Sequence, residues 1–536
     1  MTTLAPTDRP REAAPAPPRP SPLADAALAE WSAVAACPRE LLVGGRWRPA
    51  RSGRTLAVED PSTGEALCAV ADASAADALD ALATAHDAQA GWAAVPARDR
   101  ARILRRAADE LERRSGTLAM LITLEMGKPL AESADEVAFA REYLEWCAEE
   151  AVRVAGTCSD GPDGSTHLMT RRHPVGPCLI ITPWNFPLAV PARGVAAALA
   201  AGCTVILRPS ALTPLSALAL GEILQDSGVP AGVLNVIVSS EDDATDPLMA
   251  DGRLRKLTFT GSTAVGRHLI ARSADRVLRV SVELGGQAPF IVLADADLDA
   301  AVDGAMAAKM RNGGEACTAA NHFYVDRAVA DEFTARLTER LAVLAVRRGT
   351  DAGAQLGPMV GERQRRRLSE LVDDARACGA TIALAGGPLP GAGHFFAPVV
   401  LTDVPDEARV MREEIVGPIA PIRIVDGEAD AIEQDQPERP RPGRLGVHAG
   451  LDAALRMGDA LEVGMVAVNR GRASPAASPF CGVKQSGFGQ AGGAGALDAY
   501  LETRVLSVVR CAARRAAAFL AVDRAGILGP CTSHDV

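Results

Sequence analysis

The feature that most constrains the fold is an alternation of strand-like and helix-like segments that begins near residue 177. Short apolar runs rich in β-branched residues occupy 178–181, 205–207, 234–237, 257–259 and 277–282. Alanine-rich segments of helical character lie between the first three runs, at about 190–201 and 214–226. A second series begins at 289–293 and continues to about residue 480. Strands that alternate with helices predict an α/β fold with a doubly wound parallel sheet.

The segments before this alternation predict a different set of elements. Apolar and polar residues alternate over 41–70, which predicts short strands and a turn. Apolar spacing predicts helices over 75–92, 97–114 and about 132–153. Residues 1–35 are rich in Pro and Ala and predict a disordered arm with at most one short helix. A chain of 536 residues is too long for one core, so two or three domains are expected.

Composition disfavours several classes of function. The net charge of −11 argues against a nucleic-acid partner, because phosphate binding requires a basic face. No apolar run reaches the length of a membrane span, so no membrane partner is expected. The eleven cysteines lack the spacing of zinc ligands, and no metal site is expected. An odd number of scattered cysteines, without an apolar leader, predicts reduced thiols and a cytoplasmic protein.

Three polar residues together supply chemistry that none supplies alone. Cys317 lies within 311–321, Glu283 precedes Leu-Gly-Gly, and Asn185 follows 182–184. A cysteine thiolate is a strong nucleophile near neutral pH, a carboxylate is a general base, and an amide donates hydrogen bonds to an oxyanion. Taken singly, each residue type is more often structural: a buried cysteine, a turn asparagine, a glutamate at a strand end. Together they suit the covalent oxidation of an aldehyde.

A glycine-bracketed loop adds a candidate cofactor site. Gly261 and Gly266 enclose residues 262–265, after an apolar run and at the start of a helical segment. Backbone amides at a helix N-terminus favour phosphate oxygens. The pattern is not the GxGxxG of ordinary dinucleotide folds, and by itself it is more often a plain helix cap. The residues alone therefore leave a phosphate site and a plain helix cap both open.

The order and flanking residues of these motifs resemble the aldehyde dehydrogenase superfamily across roughly residues 40–510, and most closely its succinate-semialdehyde dehydrogenase branch. The resemblance implies a homo-oligomer, a dimer or tetramer, that oxidises an aldehyde to a carboxylate with NAD or NADP. It implies a doubly wound cofactor domain, an α/β catalytic domain and a small β oligomerisation hairpin. The expected bounds are a disordered arm at 1–35, a NAD(P)-binding domain at 36–151 and 176–286, a catalytic domain at 287–485, oligomerisation strands at 152–175 and 486–510, and a C-terminal extension at 511–536.

The resemblance also implies roles for single residues. Cys317 is the nucleophile, Glu283 the base, and Asn185 an oxyanion donor. The residues implied at the cofactor are Thr182, Pro183, Trp184, Arg208, Ser210, Gly261, Ser262, Gly266, Leu284, Gly285 and Glu414. Arg208 stands where the family usually has lysine, and Ala211 where NAD-preferring members often have glutamate. Since a guanidinium binds phosphate well and no carboxylate opposes it, the sequence slightly favours NADP over NAD.

The residues implied at the substrate are Arg193, Arg311 and Ser474. In the succinate-semialdehyde branch two arginines at these places hold the distal carboxylate of the substrate, and Ser474 adds a hydrogen bond. Either arginine alone is commonly a solvated side chain, particularly in a chain with 52 arginines and four lysines. Both together favour a short acid semialdehyde, most of all succinate semialdehyde.

Three alternatives stay open at this point. In the first, the chain is an aldehyde dehydrogenase whose substrate is another small aldehyde. The second is a CoA-acylating dehydrogenase, which usually lacks the glutamate base, so Glu283 argues against it. The third is a catalytically weak paralogue with a binding or structural role. The intact Cys317, Glu283 and Asn185 argue against that reading, whereas the prolines within 428–452, which interrupt an expected helix, argue for it.

Overall fold

The computed structural model describes residues 22–240, 244–435, 444–471 and 475–509. Within these ranges the helices are α1 Pro22–Ala35, α2 Ala75–Ala94, α3 Ala97–Arg113, α4 Ser115–Met126, α5 Leu130–Ala151, α6 Ala189–Ala201, α7 Leu215–Asp226, α8 Thr245–Ala250, α9 Thr263–Ala274, α10 Leu298–Lys309, α11 Ala330–Ala342, α12 Glu362–Ala377, α13 Glu428–Asp435 and α14 Leu451–Ala460. The strands are β1 Leu41–Val43, β2 Arg46–Arg48, β3 Thr55–Asp60, β4 Glu65–Ala71, β5 Cys158–Asp160, β6 Thr166–Pro174, β7 Cys178–Ile181, β8 Val205–Arg208, β9 Leu234–Val236, β10 Lys256–Gly261, β11 Arg279–Leu284, β12 Ala288–Val292, β13 Ala320–Asp326, β14 Thr381–Leu384, β15 Gly387–Pro388, β16 Phe396–Ala397, β17 Val399–Thr402, β18 Ile419–Val425, β19 Arg444–His448, β20 Met465–Val468, β21 Gly487–Phe488 and β22 Leu501–Val509. Of the helices just given, none is long and apolar enough to cross a bilayer.

The first sheet has the strand order β2-β1-β9-β8-β7-β10-β11-β21. Its strands from β9 to β11 run parallel, whereas β1 and β21 are antiparallel to their neighbours at the two sides. The chain builds this sheet outward in one direction from β7 to β9 and in the other from β10 to β11. The strand order therefore reverses between β7 and β10, and the predicted doubly wound α/β fold is confirmed.

Alternating side chains on β7 explain why helices cover both faces of this sheet. Successive residues of a strand point to opposite faces. Cys178 and Ile180 join one buried core, which also takes in α3, α5, α6 and α7. Leu179 and Ile181 join a second core with α2, α8 and α9. Because both faces are buried, the strand is apolar throughout, which is the pattern seen in the sequence.

Helix α4 was not predicted from the sequence. Its residues 118, 119 and 121–126 are buried, so the helix is enclosed on nearly all sides. A helix of this kind carries no polar face, and the spacing that reveals an amphipathic helix is missing. The helix ends at Gly127, which has a φ of 97° in the left-handed region.

The second sheet has the order β14-β17-β18-β13-β12-β19-β20. It is parallel except for β14. Only residues 285–287 separate β11, in the first sheet, from β12, in the second. The carboxyl end of β11 therefore lies where the two sheets meet, and the loop that carries Cys317 enters β13, the neighbour of β12.

A three-stranded sheet of order β22-β6-β5 lies apart from the two large ones. Strand β22 pairs antiparallel with the whole of β6, from Leu501 opposite Pro174 to Val509 opposite Thr166. The predicted terminal strand and hairpin therefore pair with each other. The expected segment 486–510 needs correction, because β21 within it pairs with β11 in the first sheet.

The structure also bears on the expected N-terminal arm and on the segment 428–452 with its interrupting prolines. Residues 22–35 form helix α1, so this part of the expected disordered arm is helical, while residues 1–21 lie outside the described residues. In the segment with interrupting prolines, α13 ends at Asp435 and β19 begins at Arg444, where it pairs with β12 and β20. The expected extension 511–536 and the residues between α13 and β19 are also outside the described residues.

Candidate active site

The predicted cofactor segments lie along one edge of the first sheet. Residues 182–184 follow β7, and Arg208 ends β8 with Ser210 just after it. Gly261 ends β10, and Leu284 ends β11. Because these strands are parallel, their carboxyl ends share one edge of the sheet. The segments after β7 and β10 also flank the reversal of strand order, the place where doubly wound sheets bind ligands.

Cys317 and Glu283 line one cleft of about 390 Å³. Glu283 is contributed by β11, and Cys317 by the turn between a short 3-10 segment, Arg311–Gly314, and β13. The half-buried Cys317 is the second thiol of this cleft beside Cys481. The cleft wall is completed by Thr260, Leu284, Gly286, Thr318, Met465, Phe480, Gly482 and Ser486. The predicted nucleophile and the predicted base therefore face the same space.

Asn185 is held against the loop that leads to Cys317. It lies in the turn between β7 and α6, and its Nδ2 donates to the carbonyl oxygen of Glu315 at 3.0 Å. Glu315 is two residues before Cys317 and is itself buried. Burial raises the pKa of the Glu315 carboxyl well above its usual range. The structure thus places Glu283 and Cys317 in one cleft and bonds Asn185 to the loop two residues before Cys317.

Arg193 is buried beside this site, with only 7% of its surface exposed. It extends from α6, places its guanidinium carbon 4.3 Å from the centre of the Phe480 ring and donates to Thr260 Oγ1 at 3.4 Å. Burial alone lowers the pKa of Arg193, but Tyr143, Glu283 and Cys317 raise it above its usual value. Arg193 lines a second cavity of about 480 Å³ that shares Thr260 and Glu283 with the cleft. It is therefore not the solvated helix side chain that a lone arginine usually is.

Arg311 begins the loop that leads to Cys317. Its guanidinium carbon is 4.7 Å from the centre of the Phe186 ring, next to Asn185 in sequence. The structure therefore places Arg193 against Phe480, which lines the cleft, and Arg311 against Phe186, which follows Asn185. Ser474, the third predicted substrate residue, lies outside the described residues.

The N-terminus of α9 is exposed at the predicted cofactor edge. Ser262 is its N-cap and accepts a hydrogen bond from the backbone N–H of Val265 at 3.4 Å. The segment is thus a helix cap, and its first backbone amides still face the edge where the strands end. Gly266 packs so closely on β11 that an added Cβ would collide with the side chain of Leu284. A helix N-terminus at a reversal of strand order fits a dinucleotide phosphate.

Glu414 occupies the far end of the same edge. Its carboxylate lies so close to Gly285 that a Cβ there would collide with it, and the Gly286 amide donates to it. Burial raises the pKa of Glu414 to about 7. A half-buried carboxyl can still accept hydrogen bonds from ribose hydroxyls, so these residues fit the sugar of a nicotinamide cofactor. Arg208 is half-buried at the end of β8, and Ser210 Oγ accepts from the Leu212 amide at 3.2 Å.

The sequence reasoning missed a set of buried polar residues behind the site. Lys128, Glu136 and Asn312 all bond to the Asn185 turn or to the residues that begin α6. Asn312 lies in the 311–321 segment that carries Cys317, whereas Lys128 and Glu136 belong to no recognisable motif of chemistry. The available signal was the scarcity of lysine, because three of the four lysines in the chain, Lys128, Lys256 and Lys309, are buried.

Comparison with known proteins agrees with this geometry. The model of the aldehyde dehydrogenase family matches residues 47–506. A succinate-semialdehyde dehydrogenase of Paenarthrobacter nicotinovorans is 47% identical over 78% of this chain and 94% of its own length. An NADP-dependent succinate-semialdehyde dehydrogenase of Escherichia coli is 39% identical over 88% of this chain and 98% of its own. The crystal structure of succinate-semialdehyde dehydrogenase from Burkholderia pseudomallei superimposes with a TM-score of 0.86, at 41% identity, over 88% of this chain and 98% of that chain. The predicted family is confirmed: this chain belongs to the aldehyde dehydrogenase family and is an NAD(P)-dependent enzyme that oxidises an aldehyde.

Proposed function

We propose that this enzyme oxidises succinate semialdehyde to succinate, through a thioester on Cys317, with a preference for NADP. The observation that carries the proposal is the cleft in which Cys317 and Glu283 meet, with Arg193 buried against its wall. The names of the relatives support the substrate, and the arginines supply a reason why an acid would be selected.

The chemistry divides between three side chains. The Cys317 thiolate adds to the aldehyde carbonyl, and the resulting oxyanion accepts hydrogen bonds from Asn185 and from the Cys317 amide. The chemistry that a bound nicotinamide cofactor would supply is acceptance of the hydride from the thiohemiacetal carbon. Glu283 then takes a proton from water, which attacks the thioester and releases the acid. Ser262 and the N-terminus of α9 would hold the phosphates, and Glu414 the ribose.

A panel assay tests this function directly. Reduced nicotinamide is followed by its absorbance with NADP or NAD, with succinate semialdehyde, its one-methylene-longer homologue and butanal, and with or without CoA. We expect the highest kcat/KM with succinate semialdehyde and NADP, and no effect of CoA. A rate that requires CoA would favour the acylating alternative, and no turnover with any aldehyde would favour the inactive paralogue.

Replacing the two arginines should separate the acid from a neutral aldehyde. Arg311→Ala is expected to raise KM for succinate semialdehyde by roughly 30- to 150-fold, because a lost charge-assisted bond costs about 2–3 kcal/mol. KM for butanal, which has no carboxylate, should change little. Arg193→Ala should act likewise and, because Arg193 also faces Glu283 and Cys317, should in addition lower kcat for both aldehydes.

The matched control for this pair is Arg102→Ala. Arg102 is an exposed arginine of α3 that pairs with Asp99 on the same helix, and its loss should leave both aldehydes unchanged. Equal losses for the acid and the neutral aldehyde in Arg311→Ala would assign a structural role to that arginine. The dehydrogenase proposal would survive such a result, and the acid specificity would not.

Cofactor preference is proposed from the turn after β8. Ala211 is half-buried in this turn, three residues beyond Arg208. Ala211→Glu should shift preference from NADP toward NAD by about tenfold or more in the ratio of kcat/KM values, because a carboxylate repels a 2′-phosphate and accepts from a 2′-hydroxyl. The ratio is measured with one aldehyde at saturation. A wild-type enzyme that already prefers NAD would contradict the proposal before the variant is made.

A homo-oligomer, dimer or tetramer, is proposed from the sheet that β22 forms with β6. Val505 and Val509 of β22 are 64% and 67% exposed, and apolar residues so exposed on a strand favour contact with a second copy. Sedimentation velocity of Val505→Arg should show smaller particles than wild type.

We propose a cytoplasmic location on the basis of the scattered cysteines. We also propose a small-molecule aldehyde, rather than a nucleic acid or a membrane, as the partner.

A further inference from the structure

A buried ion pair stands directly behind the Asn185 turn. Lys128 Nζ lies 2.5 Å from Glu136 Oε2, and each side chain is only 1% exposed. Lys128 Nζ also donates to the carbonyl oxygen of Asn185 at 2.8 Å. The same ammonium is 4.2 Å from the centre of the Phe186 ring. A buried charge is therefore bonded to the backbone of the residue whose side chain is the proposed oxyanion donor.

The partner of Lys128 fixes the other end of the same turn. Glu136 Oε1 accepts the backbone N–H groups of Leu188 and Ala189, at 2.9 and 3.1 Å. These are the N-terminal amides of α6, where a carboxylate is favoured by the helix dipole. The ion pair therefore holds residues 185–189 at both ends, through one carbonyl and two amides.

A second side chain ties this turn to the catalytic loop. Asn312 Nδ2 donates to the carbonyl oxygens of both Asn185 and Glu315, each at 2.9 Å. Asn312 has a φ of 53°, in the left-handed region, and its backbone N–H donates to Glu132 Oε2 at 2.6 Å. With the bond from Asn185 Nδ2 to the Glu315 carbonyl, the turn and the loop before Cys317 become one unit.

We propose that Lys128, paired with Glu136, is a positioning residue for aldehyde oxidation. It acts by fixing the Asn185 side chain, so that one Nδ2–H donates to the Glu315 carbonyl and the second Nδ2–H is directed at the oxyanion. The inference rests on the proposed function, because it needs Asn185 as the oxyanion donor. An amide must be aligned before the charge develops, since reorientation during the reaction would consume the stabilisation. The bonds to the Asn185 carbonyl and to the amides of Leu188 and Ala189 provide this alignment.

The use of lysine at this position agrees with the role. The chain has 52 arginines and four lysines, yet lysine is kept here. A compact ammonium directs its donors at a carboxylate and a carbonyl oxygen from one point, whereas a guanidinium spreads its donors in a fixed planar fork. Lys128→Arg should therefore behave as a loss and not as a conservative change.

A double-mutant cycle with Asn185 tests the proposal. The variant is Lys128→Met with Glu136→Gln, because removing the lysine alone would leave a buried unpaired carboxylate. The measurement is the single-turnover rate of hydride transfer at saturating NADP, with whichever aldehyde of the panel is oxidised fastest. We expect a loss of about 10- to 100-fold when Asn185 is present, and less than twofold when Asn185 is already alanine.

Other outcomes of the cycle are equally definite. The same fold-loss in both backgrounds would mean that the pair supports the fold generally, and it would overturn the proposal alone. An unchanged rate in Asn185→Ala would remove the oxyanion assignment and the positioning role together. Use of the fastest aldehyde keeps both results separate from a failure of the succinate-semialdehyde assignment.

Two more variants guard against a folding defect. Asn312→Ala is used if the Lys128→Met, Glu136→Gln variant does not fold. It removes the other donor to the Asn185 carbonyl, and its effect on the rate should depend on Asn185 in the same way. Lys309→Met removes a buried lysine of α10, whose pKa burial lowers to about 7, and should change the rate by one factor in both backgrounds. A cycle in which Asn312→Ala is additive would overturn the proposal.

Discussion

Cys317→Ala should reduce aldehyde oxidation to less than about 1% of wild-type turnover, because it removes the thiol that we propose forms the thiohemiacetal from which hydride leaves. Cofactor affinity should stay within about twofold, since the thiol faces the cleft shared with Glu283 and not the N-terminus of α9. Turnover is measured by nicotinamide absorbance, and affinity by quenching of tryptophan fluorescence on titration with NADPH. The combination of lost turnover and kept affinity identifies the nucleophile.

The cleft itself offers the matched control. Cys481 is the second half-buried thiol on its wall, and its Sγ donates to the Gly464 carbonyl at 3.5 Å. Cys481→Ala should retain most of the activity, and iodoacetamide should inactivate this variant as it inactivates wild type. An active Cys317→Ala beside an inactive Cys481→Ala would transfer the nucleophile role to Cys481.

The parts of the site that follow strand ends could be predicted from sequence alone. Parallel strands bring their carboxyl ends together, so the motifs that follow β7, β8, β10 and β11 had to share one edge once the alternation was recognised. Glu283 could be placed beside Cys317 for a related reason, because only residues 285–287 separate the first sheet from the second. In these cases local pattern and topology carry the same information.

Other features depend on contacts that leave no local pattern. Helix α4 is buried on nearly all sides and lacks the amphipathic spacing that a reader of the sequence needs. Strand β21 has only two residues, and its partner β11 lies more than two hundred residues earlier in the sequence. No pattern near residue 487 therefore predicts this strand. Lys128 could be recognised only as a rare lysine, since its bond to Asn185 depends on how α4 and α5 pack beneath α6.

The position of Arg193 shows most clearly what the structure adds to the prediction from sequence. The sequence placed it at the substrate carboxylate, and the structure adds that its guanidinium stacks on Phe480 and that Glu283 contributes to raising its pKa. One guanidinium can therefore affect the proposed acid substrate and the proposed general base together. This coupling follows from the three-dimensional approach of α6 to β11, which no spacing along the chain specifies.

Glu283→Gln should give a burst of about one equivalent of reduced nicotinamide per active site, followed by turnover about 10²- to 10⁴-fold slower than wild type. The amide keeps the shape of the side chain on β11 but cannot take a proton from water, so the thioester forms and persists. Rapid-mixing absorbance gives the burst and the slow phase in one trace. Mass spectrometry of the quenched enzyme should find the acyl group on Cys317.

The phase that slows decides what Glu283 does. A normal burst with slow turnover assigns Glu283 to the water, and hydroxylamine, which needs no general base to attack a thioester, should then restore turnover. A slow burst assigns it to the thiol as well. Unchanged steady-state turnover would contradict the base assignment altogether. Arg193→Ala offers a comparison, because it removes the guanidinium that faces Glu283 and keeps the carboxylate. If Glu283 is the base, this variant should still hydrolyse the thioester at a measurable rate without hydroxylamine. Its rate of thioester formation should also stay measurable.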